Sequence, residues 1–278
     1  RRAWGIGEGS QVMGSATTKA LEASTKALAS VTASVDLGTA SELFAAGRAI
    51  GGSRQLAAVL ADPAVESAAK TKLVGAAFGT SVSATTLGLL TTVAAQRWSG
   101  PDDLLAGIEE LGLRAASLAS LRSGADVEGE LFQFSRVVSA NPDLELSLGG
   151  RMGDPVAKGE LVGTLLGGRA SAETALIVSS IVQQPRGRRA LQLLADASRI
   201  VAEQRGQVVA TVTTAAPVSA AQQDRLIALL STKYGRPVAV NTVIDPTVVG
   251  GLRVQIGDDV IDASIASRLN DLRQRLAG

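Results

Sequence analysis

The sequence predicts a mainly α fold: two repeated bundles of five to six helices, then a small C-terminal α/β domain of order β-α-β-β-β-α. Two observations carry this. The first is a self-match at constant offset: ELFAAGRAI at 42–50 returns as ELFQFSRVV at 130–138, and AKTKLVGAAFGTSVSATT at 69–86 lines up with AKGELVGTLLGGRASAET at 157–174. The register holds without gaps through Phe, Lys and Gly, with Lys70 on Lys158 and Ser83-Ala84 on Ser171-Ala172, so the match marks a duplication. The second is a change of period at Gln207, where helical spacing gives way to the alternating β-branched run QVVATVTTAA.

Taken in order, residues 1–36 read as a linker and connecting helix. RRAWGIGEG is punctuated by glycines, and TKALEASTKALASV repeats TKAL after one heptad, placing Leu21, Leu28, Val31 and Val35 on one stripe. The first helical copy spans 37–123 and the second 125–206. In the second, helices are expected over 127–140, 143–149, 154–166, 171–184 and 188–205, with breaks at Pro142, Gly149-Gly150, Gly167-Gly168 and Pro185-Arg186-Gly187. Ser83-x-x-Thr86 and Ser171-x-x-Thr174 put a capping serine before the fourth helix of each copy. The C-terminal domain occupies 207–278. Its helix VSAAQQDRLIALLSTKYG opens on Ser219-x-x-Gln222, a capping box, and a last helix carries Ile265, Leu269, Leu272 and Leu276 on one face.

Composition narrows the chemistry. Lys and Arg number 27 against 26 Asp and Glu, so the basic surplus that phosphate neutralisation requires is missing, and aromatics are only 3%. These numbers argue against a nucleic-acid binder. No cysteine and no histidine occur anywhere in the chain, which removes disulfides, Cys/His zinc sites and imidazole or thiol catalysis. The longest apolar run, ATTLGLLTTVAA at 84–95, is too short to span a bilayer. The chain begins RRAWGIG without methionine, as expected of a processed product or of the downstream part of something longer; a membrane anchor in an upstream segment stays open.

Three motifs invite a chemical reading. GDDVID at 257–262 has the D-D-x-x-D spacing of magnesium-dependent prenyl-transfer enzymes, with Asp102-Asp103 and Glu109-Glu110 as the other acidic clusters. Its flanks RVQIG and VID are strand-like, so Gly257-Asp258-Asp259 reads better as a hairpin turn, with Asp262 or Ser264 capping the last helix. GGRAS at 167–171 lacks the lysine and preceding strand of a phosphate loop. QQPRGRR at 183–189 is either a solvated loop or a basic patch for an acidic partner.

The order of Val212-Thr213-Thr214-Ala215-Ala216-Pro217-Val218-Ser219, Asp245-Pro246, Gly250-Gly251, Ile256-Gly257-Asp258 and Asp262-Ala263-Ser264 resembles the C-terminal part of F-type ATP synthase delta subunits. Their mitochondrial counterpart is the oligomycin-sensitivity-conferring protein. Ala263 stands where the family usually has glycine. The second helical copy is similar, more loosely, to the family's N-terminal domain. The extra first copy resembles the actinobacterial arrangement, in which stalk subunit b is fused ahead of delta.

The resemblance implies a non-catalytic stator subunit without metal or cofactor, at the cytoplasmic face of a bacterial plasma membrane. It would reach the membrane only through its stalk partner or an upstream segment. It implies that a helical domain receives the N-terminal helix of an alpha subunit and that the C-terminal domain holds stalk subunit b. Helix-in-groove binding uses an apolar face on the first and last helices of a bundle. The candidates are Phe132, Phe134, Val137, Val138, Leu194, Ile200 and Val201 in the second copy, and Leu43, Phe44, Ile50, Leu105 and Ile108 in the first; the alternative is that each is ordinary core. A magnesium-dependent prenyl-type enzyme and an unrelated helical-repeat scaffold remain as other readings.

Overall fold

The computed structural model describes residues 15–150, 153–246, 251–256 and 259–262. The chain divides into two compact units, Arg1–Ala115 and Ala116–Gly278. The expected class is observed: twelve α-helices among the described residues, then a four-stranded sheet near the C-terminus.

The first unit is built from α1 (Ser15–Ser30), α2 (Leu37–Gly52), α3 (Arg54–Ala61), α4 (Ser67–Phe78), α5 (Ala84–Ala95) and the start of α6 (Pro101–Ser123). The expected stripe holds in part, with Leu28 and Val35 fully buried and Leu21 and Val31 half-buried, and helix α1 packs against α5. It ends at Ser30, before Val31 and Val35, and buries Thr17, Ala20, Ser24 and Leu28. Small side chains let the two backbones approach, and Thr17 makes a specific contact: its hydroxyl donates to the Asp103 carboxylate at 2.9 Å. Glycines on α6 do similar work. A Cβ on Gly107 would lie 2.2 Å from the Trp98 ring, and one on Gly112 would lie 2.9 Å from Phe44.

In the second unit α7 (Val127–Ser139), α8 (Pro142–Gly149), α9 (Pro155–Leu166), α10 (Ala172–Gln183) and α11 (Ala190–Gln204) fall within two residues of the expected bounds. Pro142 and Pro155 each occupy the first turn, where the missing N–H costs nothing. Both serine caps form: Ser83 accepts from the Thr86 N–H and Ser171 from the Thr174 N–H.

The sheet contains β1 (Val208–Thr214), β2 (Val238–Ile244), β3 (Leu252–Ile256) and β4 (Asp259–Asp262) in the order β2-β1-β3-β4. Helix α12 (Ala220–Tyr234) makes the crossover that a parallel β1–β2 pair requires. The remaining pairs are antiparallel. Val212, Val238 and Val254 face α12 and form a small core with Leu230. The Ser219–Gln222 capping box is present. The last helix expected from Ile265 to Leu276 lies outside the described residues, as do Gly250, Gly257, Asp258 and Ser264.

The acidic motif is corrected in one respect. Asp259 is the first residue of β4, paired with Ile256, rather than part of a turn. Its carboxylate accepts a hydrogen bond from the Tyr234 hydroxyl. Helical i, i+4 spacing, which would gather carboxylates around one metal, does not exist in this strand.

A buried-edge glutamate repeats with the fold. Glu42 on α2 accepts from the Ser83 N–H (3.0 Å), the Ser83 hydroxyl (2.7 Å) and the Thr86 hydroxyl (2.5 Å). Glu130 on α7 takes the same bonds from Ser171 and Thr174. Each carboxylate thus ties the first helix of its copy to the N-terminus of the fourth. Burial acts to raise both pKa values, but the hydroxyl and N–H donors outweigh it, so both lie below the ordinary 4.5. A depressed pKa gives stability that is present above 4.5 and is lost as pH falls through the folded value. Glu130→Gln is expected to cost about 1–3 kcal/mol at pH 7, because donors to a charged acceptor lose their partner. Urea denaturation from pH 7 to 3 should show the variant approaching the parent at low pH; a constant gap would contradict the assignment.

Candidate functional site

Helices α7 and α11 pack together, and α11 also meets β1. Between them and the sheet lies an open cleft of about 670 Å³. The sheet face opposite α12 supplies one wall. Strand alternation explains most of this wall: Ala210 and Val212 turn to the α12 core, so Val209 and Thr211 turn to the cleft, with Asn241 and Gln255 beside Thr211 in the register, while Val208 and Ile256 reach the lining from strand ends. The helical wall is apolar where Phe132 meets Leu191 and Leu194. Asp196, Arg199, Glu203 and Arg236 bring charge to the lining. Arg199 pairs with Glu203 at 2.7 Å, and Asp196 with Arg188 at 3.3 Å.

A buried tie holds the wall in place. Arg205, just past α11, donates to the Ser120 hydroxyl at 2.7 Å and the Ala125 carbonyl at 3.0 Å, and lies 3.6 Å from Glu128. Burial pushes the Glu128 carboxyl up, Arg205 pulls it back, and Asp126 adds to the rise; the net shift is upward. Ser117 also donates to the Val201 carbonyl. These bonds fix α11 to the C-terminal part of α6 and the start of α7.

The twelve candidate residues separate sharply. Phe134, Val138, Leu194, Ile200 and Val201 in the second copy, and Leu43, Phe44, Ile50, Leu105 and Ile108 in the first, are buried within their own units. Phe132 is half-buried and Val137 is 47% exposed. The structure brings Phe132 and Leu194 together in the cleft and leaves the other ten outside its lining. Sequence reasoning did not find Leu191, Arg199 or Arg236, whose convergence depends on how the sheet meets α11. It also missed Glu42 and Glu130, although both open the repeated ELF triplet. Among the signature positions, Asp245 receives its place from an N–H bond to the Thr214 carbonyl at 2.8 Å, followed by Pro246, and Gly251 adopts φ 81°, a conformation that favours glycine.

The two copies also differ on their surfaces. Val137, Leu146 and Val156 of the second copy are 47%, 74% and 60% exposed. At the constant offset of 88 residues the first copy has Ala49, Ala58 and Ala68, all exposed. At these three positions the second copy carries large apolar side chains and the first only methyl groups, whereas Val59 is 40% exposed on the first copy where the second has Ser147.

Residues 115–276 match the family model for the ATP synthase delta (OSCP) subunit. The chain is 49% identical over 266 residues to the ATP synthase subunit delta of Leifsonia xyli subsp. xyli, covering 96% of this chain and 100% of that protein. It is 47% identical over 221 residues to that of Streptomyces avermitilis, covering 79% and 81%. With the Streptomyces coelicolor protein it shares 41% over 270 residues, covering 95% and 98%. More than half of the chain thus follows one family pattern, and the chain belongs to the ATP synthase delta (OSCP) subunit family.

Proposed function

We propose that the chain is a non-catalytic stator of a proton-translocating F-type ATP synthase, joining alpha subunits of the catalytic head to the membrane-anchored stalk subunit b. Family membership makes it a peripheral-stalk component. The finer reading assigns the copies 37–123 and 125–206 to the head side and 207–278 to the stalk side, at the cytoplasmic face of a bacterial plasma membrane. No helix among the described residues is long and apolar enough to cross a membrane, so contact with the bilayer is assigned to the stalk partner or an upstream segment.

The observation that carries this reading is the half-buried apolar pair Phe132 and Leu191, backed by buried Leu194, with charged residues beside it. An amphipathic helix lays its apolar side on such a pair and its polar side against the charges. A stator has to transmit torque without yielding. Close packing and buried ties supply that stiffness, and the Arg205 bonds to Ser120 and Ala125 are the clearest of them. The exposed apolar residues peculiar to the second copy favour it over the first as the receiver of the alpha-subunit helix.

Calorimetry of the full chain with a synthetic peptide of the alpha-subunit N-terminal segment tests this. One-site binding is expected, weakened about tenfold or more by Phe132→Asp, since truncation of an aromatic anchor costs on the order of 2 kcal/mol. Phe132 is half-buried, and retention of the parental circular dichroism spectrum separates lost binding from lost fold. Absence of binding to the parent chain, or equal binding by the variant, would overturn the assignment of the cleft.

A further inference from the structure

Strand β2 occupies one edge of the sheet and is pleated in a phase that the end bonds reveal. Val208 N–H donates to the Pro237 carbonyl, and Asp245 N–H donates to the Thr214 carbonyl. In a parallel ladder these two bonds put the N–H and C=O groups of Ala239, Asn241 and Val243 towards β1. The same groups of Val240, Thr242 and Ile244 then point away from the sheet. Val238 shares that outward phase, and its N–H is taken by the Ser231 hydroxyl. No hydrogen bond is found for the outward groups of Val240, Thr242 and Ile244 among the described residues.

Natural sheets protect such edges with lysine, proline, bulges or short strands. β2 has none of these over its seven residues, VAVNTVI. The opposite edge strand, β4, is four residues long and begins and ends in aspartate. Arg236-Pro237 and Asp245-Pro246 bound β2, which limits any added strand to about seven residues. Arg236 is exposed and also lines the cleft, as does Asn241, so the β2 edge is continuous with the proposed docking region.

We infer that β2 receives an extended segment of a partner polypeptide as a fifth strand. That segment is uncharged over about seven residues and carries an acidic residue at the end that meets Arg236. Three outward donors and three outward acceptors supply the main-chain bonds. On the α12 side its alternate side chains continue the row begun by Val238 and Val240, so those positions are apolar. Towards the cleft they lie beside Ala239, Asn241 and Val243, so only the position beside Asn241 calls for a polar side chain. The inference rests on the reading of the chain as a subunit of a larger complex, and the experiment separates the two.

Hydrogen–deuterium exchange resolved to single amides, on the isolated full chain and on the assembled ATP synthase, is the test. Val240, Thr242 and Ile244 are expected to slow about tenfold or more on assembly, whereas Ala239, Asn241 and Val243 are protected in both states. Thr242→Pro removes an outward donor without touching the β1 ladder, so it is expected to fold and to join the complex about tenfold more weakly. If the parent chain joins the complex and the three amides exchange as in the isolated chain, the added strand is refuted and the stalk reading stands. Failure of the parent chain to join overturns both. Protection in the isolated chain that disappears on dilution identifies a second copy as the occupant and overturns the partner assignment.

Discussion

Arg205→Ala is expected to destabilise the second unit by about 3 kcal/mol at pH 7, because it leaves a buried carboxylate without its cation. Glu128 is 8% exposed at the side chain and Arg205 16%. The estimate sits at the low end for a broken buried pair because the Gln207 amide nitrogen, in the orientation that satisfies both its polar atoms, still donates to Glu128 at 3.1 Å. Arg205 also donates to Ser120 and Ala125, so its loss frees the ends of two helices at once.

The pH dependence distinguishes this from simple loss of packing. The Glu128 pKa is already raised by burial, with Arg205 restraining it. A raised carboxyl pKa gives a contribution that is complete below the unfolded value and is lost as pH rises through the folded one. Without Arg205 the folded value climbs further, so the gap between variant and parent should narrow as pH falls from 7 towards 5. Urea denaturation across that range measures it, and a gap independent of pH would show that the ion pair is not the source. The direction is opposite to that of the stability supplied by Glu130, whose pKa is depressed.

Trp98→Ala is expected to cost about 3–5 kcal/mol, the range for removing a large buried aromatic. Trp98 is 3% exposed, and its indole N–H donates to the Val93 carbonyl at 2.8 Å. Its ring lies over Gly107, where a Cβ would come within 2.2 Å. Gly107→Ala alone is therefore expected to cost about 1–3 kcal/mol by overpacking. In the Trp98→Ala background the same change meets no ring and should be close to neutral. A double-mutant cycle measured by urea denaturation gives the coupling; additive effects would contradict this contact.

The repeat was the most legible feature because it rests on residues with specific work. Ser83 and Ser171 cap helices, and Lys70 and Lys158 are both buried, so register survived where Ala and Leu had exchanged freely. Strand phase was equally readable: Val208–Thr214 alternates, and the structure buries one parity against α12. The α1 stripe was readable in part: Leu28 and Val35 are fully buried, whereas the helix ends at Ser30 and also buries Thr17, Ala20 and Ser24, which are small rather than strongly apolar. The candidate groove residues failed to separate surface from core for a related reason. Helical spacing identifies the apolar side of a helix, and in a bundle that side is the interior, which is where ten of the twelve lie. Only Phe132 and Val137, at the margin of the α7 stripe, remain accessible. The cleft itself depends on α11 meeting β1, a long-range contact that no local pattern records.

As proposed, this chain couples the head to the stalk and performs no chemistry. The direct measurement uses membrane vesicles carrying the ATP synthase from which this chain has been stripped. ATP hydrolysis is predicted to continue while ATP-driven proton pumping is lost, and adding back the purified chain is predicted to restore pumping. Pumping that persists after the chain is removed, or hydrolysis that disappears with it, would contradict the account.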